Sequence, residues 1–311
     1  MDSKFIVLLL AGVIATGLLY SHPAYAHNFG GDQSASFLAK VQELKAEMAG
    51  IEQDLPSQND VAWHVDKSGE YWNANDAKEM GERNTLLAKE IPDTLSAIYD
   101  AVNTTNPDTH DIKQKIDTLN GYLDEGITAR VDKDKMQNST VQVLVVTSMI
   151  SETLEHYADA IGTNTDLNDM NAMNMTNSSS MSGMHSGTMS MTTIVNNAAY
   201  HSAQILAKSS QDYFDNFAKP IAPASSSQQI SVIDTQLANL NDEINSKADP
   251  NDIMITVHTK IHPALIMAFG LTEHPSSEGS VVPEFPLPIL LAIISIAGVV
   301  AVFRLKPRLG F

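Results

Sequence analysis

The sequence predicts an all-α protein: an antiparallel helical bundle in two parts joined by a flexible Met-rich linker, with a C-terminal transmembrane helix beyond it. Three observations predict this. Apolar residues recur at steps of three and four along most of the chain, the period of an amphipathic helix. Aromatic residues are only 6% of the chain against 43% hydrophobic, a balance that suits packed aliphatic helices better than a β-sandwich. One interior stretch, residues 163–192, is built of Asn, Ser, Thr, Gly and Met and cannot bury enough surface to order itself.

Phe37, Val41, Leu44, Met48, Ile51 and Leu55 form the first apolar seam, which Pro56 stops. Leu87, Ile91, Leu95, Ile98 and Val102 form the second, and Ile112, Ile116, Leu119 and Leu123 the third. Val143, Val146, Ile150, Leu154, Tyr157 and Ile161 make the fourth, with Gly162 placed to cap it in the left-handed conformation. The run 141–146 alone reads as a strand, but nothing nearby would pair with it. Beyond the linker, Ile230, Ile233, Leu237, Leu240 and Ile244 repeat the helical spacing. Asp249 as cap and Pro250 in the first turn open the last helix, whose stripe is Ile253, Val257, Ile261, Leu265 and Phe269. The two parts of the bundle are therefore residues 27–162 and 193–273.

The two ends of the chain carry addresses. Residues 1–26 read as a secretory signal peptide: Lys4, an apolar run over 5–20, and Ala24-Tyr25-Ala26 as the cleavage site. Cleavage there leaves His27 as the mature N-terminus. Residues 274–284 form a second linker. Residues 285–303 hold no charge and are long enough to cross the hydrocarbon core as a helix. Arg304, Lys306 and Arg308 in the tail 304–311 place the C-terminus in the cytoplasm, so the bundle faces outward from the cell membrane.

Pro283-Glu284-Phe285, the apolar segment and the short basic tail together resemble the PEFG-type C-terminal sorting signal of archaeal surface proteins. Pro286 stands where that pattern has Gly. The resemblance covers about thirty of the 311 residues and leaves the bundle unassigned. It implies archaeal origin, surface display, and an archaeosortase-like transpeptidase as a partner that cuts near the motif and transfers the chain to an anchor. A plain single-span anchor is the alternative.

Charge and composition narrow the chemistry. Of 37 acidic and 19 basic residues, removing Asp2, Lys4, Arg304, Lys306 and Arg308 leaves 36 and 15 for residues 27–284, a net charge of −21. Such a surface gathers cations and is the wrong sign for a nucleic-acid partner. The absence of cysteine removes disulfides, iron–sulfur clusters, thiolate zinc and blue-copper centres. No nucleophile elbow, Walker loop, dinucleotide-binding glycine pattern, EF-hand, His-Glu-x-x-His or Glu-x-x-His occurs, so an enzyme is not expected.

The strongest chemical signal is methionine placement. Seven of the 14 methionines, Met170, Met173, Met175, Met181, Met184, Met189 and Met191, fall in the polar linker, with His185 among them. Thioethers normally fill core gaps, and a linker offers none. Soft sulfur selects Cu(I), and thioethers survive outside the cell where thiols oxidise. The tract resembles the Met-rich segments of extracytoplasmic copper-handling proteins; the alternative is an oxidant-scavenging low-complexity tract. His258 and His262 lie four apart on one helix face and could share a metal, although Pro263 directly after them bends the helix there. His64, His156 and His201 lie on helices flanked by aromatic or apolar residues, which leaves open either a bundle-core site or buried histidines with ordinary hydrogen bonds. His27 at a free N-terminus would chelate Cu(II) through its amine and imidazole. Acidic pairs such as Asp124 with Glu125 and Asp242 with Glu243 read as solvated helix ends.

Sequons at Asn103, Asn138, Asn174 and Asn177 mark candidate glycosylation sites in a secreted chain. Two functions follow from these observations. One is a membrane-anchored acidic surface protein that binds or buffers copper through its Met-rich segment. The other is a structural or adhesion module of the archaeal envelope, whose partners are other envelope proteins.

Overall fold

The computed structural model describes residues 32–170, 172 and 192–271, and within them helix is the regular secondary structure and no strand occurs. The expected signal peptide, the expected sorting motif, the C-terminal apolar segment and the candidate acceptors Asn174 and Asn177 lie outside the described residues.

The first seam becomes α1 (Gln33–Asp54), capped by Asp32, whose carboxylate accepts from the backbone N–H groups of Ser34 and Ala35. Leu55 and Pro56 turn the chain into α2 (Gln58–Tyr71). Next come α3 (Ala74–Arg83), held by an Asn73/Asp76 capping box, and α4 (Leu87–Val102). The series continues with α5 (Thr109–Arg130), the single-turn α6 (Lys133–Met136) and α7 (Ser139–Ile161). Gly162 ends α7 at φ 67°, the left-handed cap expected of it. The stretch 141–146 is an α7 segment whose valines 141, 143, 145 and 146 are all buried.

After the Met-rich stretch, α8 (Asn197–Tyr213) runs on through a π-helical turn at Phe214–Ala218. Then follow α9 (Ser227–Asn245) and α10 (Pro250–Ile255), the latter with Asp249 as cap. A second π-helical turn, Thr256–Ile261, leads into α11 (His262–Phe269).

Four helices, α1, α2, α7 and α8, pack on one another at the centre. On one side α5 lies against α1, with α3 and α4 beside it; on the other, α9 packs against α8, and α11 reaches α7. The seams meet in one hydrophobic core that runs from Ala35 to Leu271. This corrects the two-part reading: α8, from the second half of the chain, packs directly on α1 and α7 of the first, so both halves share one interior.

The linker also begins later than its composition predicts. Leu167 is buried in the core, and Asn168 exchanges two hydrogen bonds with Ser151 of α7, at 2.9 and 3.2 Å. At the far end Thr192 donates its N–H to the Lys247 carbonyl at 2.9 Å and its hydroxyl to the Ala248 carbonyl at 3.0 Å. Both margins of the Met-rich stretch are thus fastened to the bundle.

Candidate functional site

The four central helices enclose a chain of polar side chains inside an otherwise apolar core. It starts on α1, where Glu47, Gly50 and Asp54 share one face at i, i+3 and i+7. The bare Cα of Gly50 opens a slot for the imidazole of His64 from α2; a Cβ added at Gly50 would overlap the ring. Glycine inside a helix costs about 1 kcal/mol relative to alanine. Here that cost lets a wholly buried ring approach the α1 backbone closely.

His64 then reaches a carboxylate on each side. Its Nδ1 lies 2.7 Å from Glu47 Oε2 and its Nε2 lies 2.9 Å from Asp54 Oδ2. A carboxylate only accepts, so a ring protonated on both nitrogens satisfies the two partners at once. Burial opposes that charge, but the hydrogen bonds and negative charges of Glu47 and Asp54 outweigh it and raise the His64 pKa above its usual value. The outer oxygen of Asp54 accepts from His201 Nδ1 of α8 at 2.7 Å, and His201 is partly exposed.

On the other side the chain continues through Ser202, the neighbour of His201. Its hydroxyl donates to Glu47 Oε1 at 2.5 Å. With that proton committed, Ser202 Oγ accepts from His156 Nδ1 of α7 at 2.8 Å. His156 Nε2 is left as an acceptor 3.3 Å from the Tyr71 hydroxyl, which also lies 3.2 Å from Glu152 Oε2. Burial, reinforced by the charges on Lys67 and His64, pushes the His156 pKa well below normal, so this second ring stays neutral beside the charged first. Trp63 of α2 meets both rings edge-on, with centroids 5.3 Å from His64 and 5.1 Å from His156.

Two further carboxyls border the cluster. Glu43, one turn before Glu47, accepts from Ser148 Oγ at 2.9 Å, and burial aided by the charges of Glu155 and Glu47 lifts its pKa to about 7. Burial and the charges on Glu43 and Glu155 likewise raise Glu152 well above the carboxylate range. Lys67 answers them from α2; burial works against its charge, but Glu155, Glu70, Asp159 and Glu152 outweigh that and raise its pKa.

His64, His156 and His201 therefore do meet, in a hydrogen-bonded chain. Among the described residues no group of three or more histidine and carboxylate side chains could hold a metal ion, because the ring nitrogens point at acceptors and donors of their own. Glu243, expected at a solvated helix end, is half-buried and accepts from Thr256 at 2.8 Å, whereas Asp124 is exposed and pairs with Lys45.

The other predicted pair lies at the edge of the bundle. His258 and His262 are buried, with ring centroids 5.3 Å apart. Pro263, directly after the pair, does not break the helix. The backbone widens into the π-helical turn Thr256–Ile261, in which the His262 N–H reaches back five residues to the Val257 carbonyl. His258 Nε2 donates to the Leu167 carbonyl at 2.8 Å, three residues before Met170. Met170 itself is exposed. Met173, Met175, Met181, Met184, His185, Met189, Met191 and His27 lie outside the described residues, as do Pro283, Glu284 and Phe285. Of the sequons, Asn103 closes α4 and donates from its side chain to the Tyr99 carbonyl, while Asn138 is the cap of α7, its Oδ1 accepting from Thr140 and Val141.

The whole chain was compared with protein-family models, with curated proteins and with solved structures, and nothing matches in any of the three.

Proposed function

We propose that this chain is an outward-facing, membrane-anchored acidic helical protein of an archaeal surface that binds or buffers copper as Cu(I) through the methionines of residues 170–191. One observation carries the reading. The hydrogen bond from His258 Nε2 to the Leu167 carbonyl sets the entrance of the Met-rich stretch against the His258–His262 pair. A carbonyl holding one imidazole N–H is the usual way a protein orients a metal-binding histidine. Soft thioethers and an imidazole make a donor set suited to Cu(I) rather than to hard cations. The described chain on either side of the methionines is tied to the bundle, at Asn168 and at Thr192. The net charge of −21 over residues 27–284 draws cations to the same surface.

The apolar segment 285–303 and the Pro283-Glu284-Phe285 motif supply the anchor in this reading, either as a retained span or through an archaeosortase-like transpeptidase. The test is a Cu(I) titration of the full chain against a colorimetric chelator. It is run beside a full-length variant in which the seven linker methionines are leucine, and beside His258→Asn. Tight uptake by the native chain that falls at least tenfold in the methionine variant and partly in His258→Asn is expected. Equal, weak uptake by all three would leave the envelope structural or adhesion module as the function.

A further inference from the structure

The polar chain in the core is not used in the proposed function, and its geometry calls for an explanation of its own. We infer that Glu47, His64 and Asp54 form a proton-dependent latch, in which one buried imidazolium ties two carboxylates of α1 to α2 and release of its proton unfastens the two helices.

The argument rests on counting protons. An imidazolium has two N–H groups and satisfies Glu47 at 2.7 Å and Asp54 at 2.9 Å together. A neutral imidazole has one, so on deprotonation one carboxylate faces a nitrogen lone pair. Neither carboxylate can retreat to water, since Glu47 is 0% and Asp54 5% exposed. Glu47 would keep only the Ser202 hydroxyl, and Asp54 only His201. Apolar packing cannot replace the lost bond, because a buried acceptor left without its donor forfeits its full desolvation energy. The ring sits in the slot over Gly50, where an added Cβ would overlap it.

The charged and titratable groups around the latch come from all four helices. Glu43, Glu47 and Asp54 face it from α1, and Lys67 and Tyr71 from α2. Glu152, Glu155, His156 and Asp159 lie along α7, with His201 on α8. Lys67 is turned toward Glu70 and Glu155, each at 3.5 Å, and His156 is neutral, so the negative charge beside His64 is answered chiefly by His64 itself. Its raised pKa gives the direction. The stabilisation is fully present below the unfolded-chain value of about 6.5 and is lost as pH rises through the higher folded value. The latch thus opens on the alkaline side, whereas Glu43 and Glu152 shed their protons to the detriment of the fold starting from lower pH.

The test uses the full chain with ¹³C-labelled histidine and amide hydrogen exchange, corrected for the intrinsic pH dependence. The His64 Cε1–H resonance should titrate above about 6.5, the usual imidazole value. Across that titration the amides of α1 and α2 should lose about tenfold in protection, while those of α5 hold theirs. His64→Gln, which offers one donor at every pH, should start with the lower protection and show no step. Asp54→Asn should lower the His64 midpoint, and it decides the matter if His64→Gln does not fold. The latch is refuted by a midpoint at or below the ordinary value, by unchanged α1 and α2 protection across the titration, by the same step in His64→Gln, or by an unmoved midpoint in Asp54→Asn.

Discussion

Glu43→Gln should make this protein more stable, and only on the alkaline side of its acid range. Glu43 is 3% exposed and accepts one hydrogen bond, from Ser148 Oγ at 2.9 Å. Burial is the largest influence on its carboxyl, and with the charges of Glu155 and Glu47 it raises the pKa from 4.5 to about 7 against the opposing effects of Ser148 and Lys40. Between those two values the folded state holds a proton that the unfolded chain has already released. Stability therefore falls as pH rises through this window, by about 1.4 kcal/mol for each pH unit and on the order of 3 kcal/mol over the whole of it. Glutamine has the shape of the protonated acid, keeps an oxygen for Ser148, and cannot ionise. Native and variant should be equally stable near pH 4.5 and diverge by roughly 2–3 kcal/mol at pH 8, in favour of the variant. Urea denaturation of the full chain, followed by helical circular dichroism at several pH values, reads the difference directly. Contributions of His64 and His156 largely cancel in that difference, because both proteins carry them. A gap that does not vary with pH, or one that favours the native chain at pH 8, would refute the assignment of a buried, proton-holding Glu43.

Two other substitutions test the packing around the site. Tyr213 at the end of α8 donates its hydroxyl to Gln142 Oε1 near the start of α7 at 2.6 Å, in the buried interior. Tyr213→Phe should cost about 1–3 kcal/mol by orphaning that oxygen, and the double variant Tyr213→Phe/Gln142→Leu should recover part of it in thermal denaturation. Lys247, between α9 and α10, adopts φ 55° although it is not glycine, and its carbonyl receives the Thr192 N–H. Lys247→Gly should relieve about 1 kcal/mol of left-handed strain and lose about half of that with the ammonium 5.4 Å from the Tyr200 ring centre. A small net rise in melting temperature follows, and a fall would show that the ring contact dominates.

What could be read from the sequence depended on how local its cause was. Caps and seams needed only neighbouring residues, so Asp249, Gly162 and the stripe from Phe37 to Ile51 do in the fold what their spacing predicts. The stripe Ile253, Val257, Ile261, Leu265 and Phe269 held more than a helix. Steps of four in an α-helix drift by about 40° each, so five such residues cannot stay on one buried face of a regular helix. All five are buried, and the π-helical turn at Thr256–Ile261 absorbs the drift while also carrying the chain past Pro263. The strict spacing was therefore a signal for the wide turn. The polar chain was half legible in the same sense. Glu47, Gly50 and Asp54 place two carboxylates around a bare backbone on one buried face of α1, and a ring fills the gap between them. The identity of that ring was not local. His64 comes from the next helix, and the serine that completes Glu47 is 155 residues away. Helical periodicity carries no information about which faces meet at such separations. The same limit produced the two-part reading of the bundle: the change in composition at residue 163 was real, but the core forms across it, because α8 returns to cover the acidic face that α1 could not bury alone.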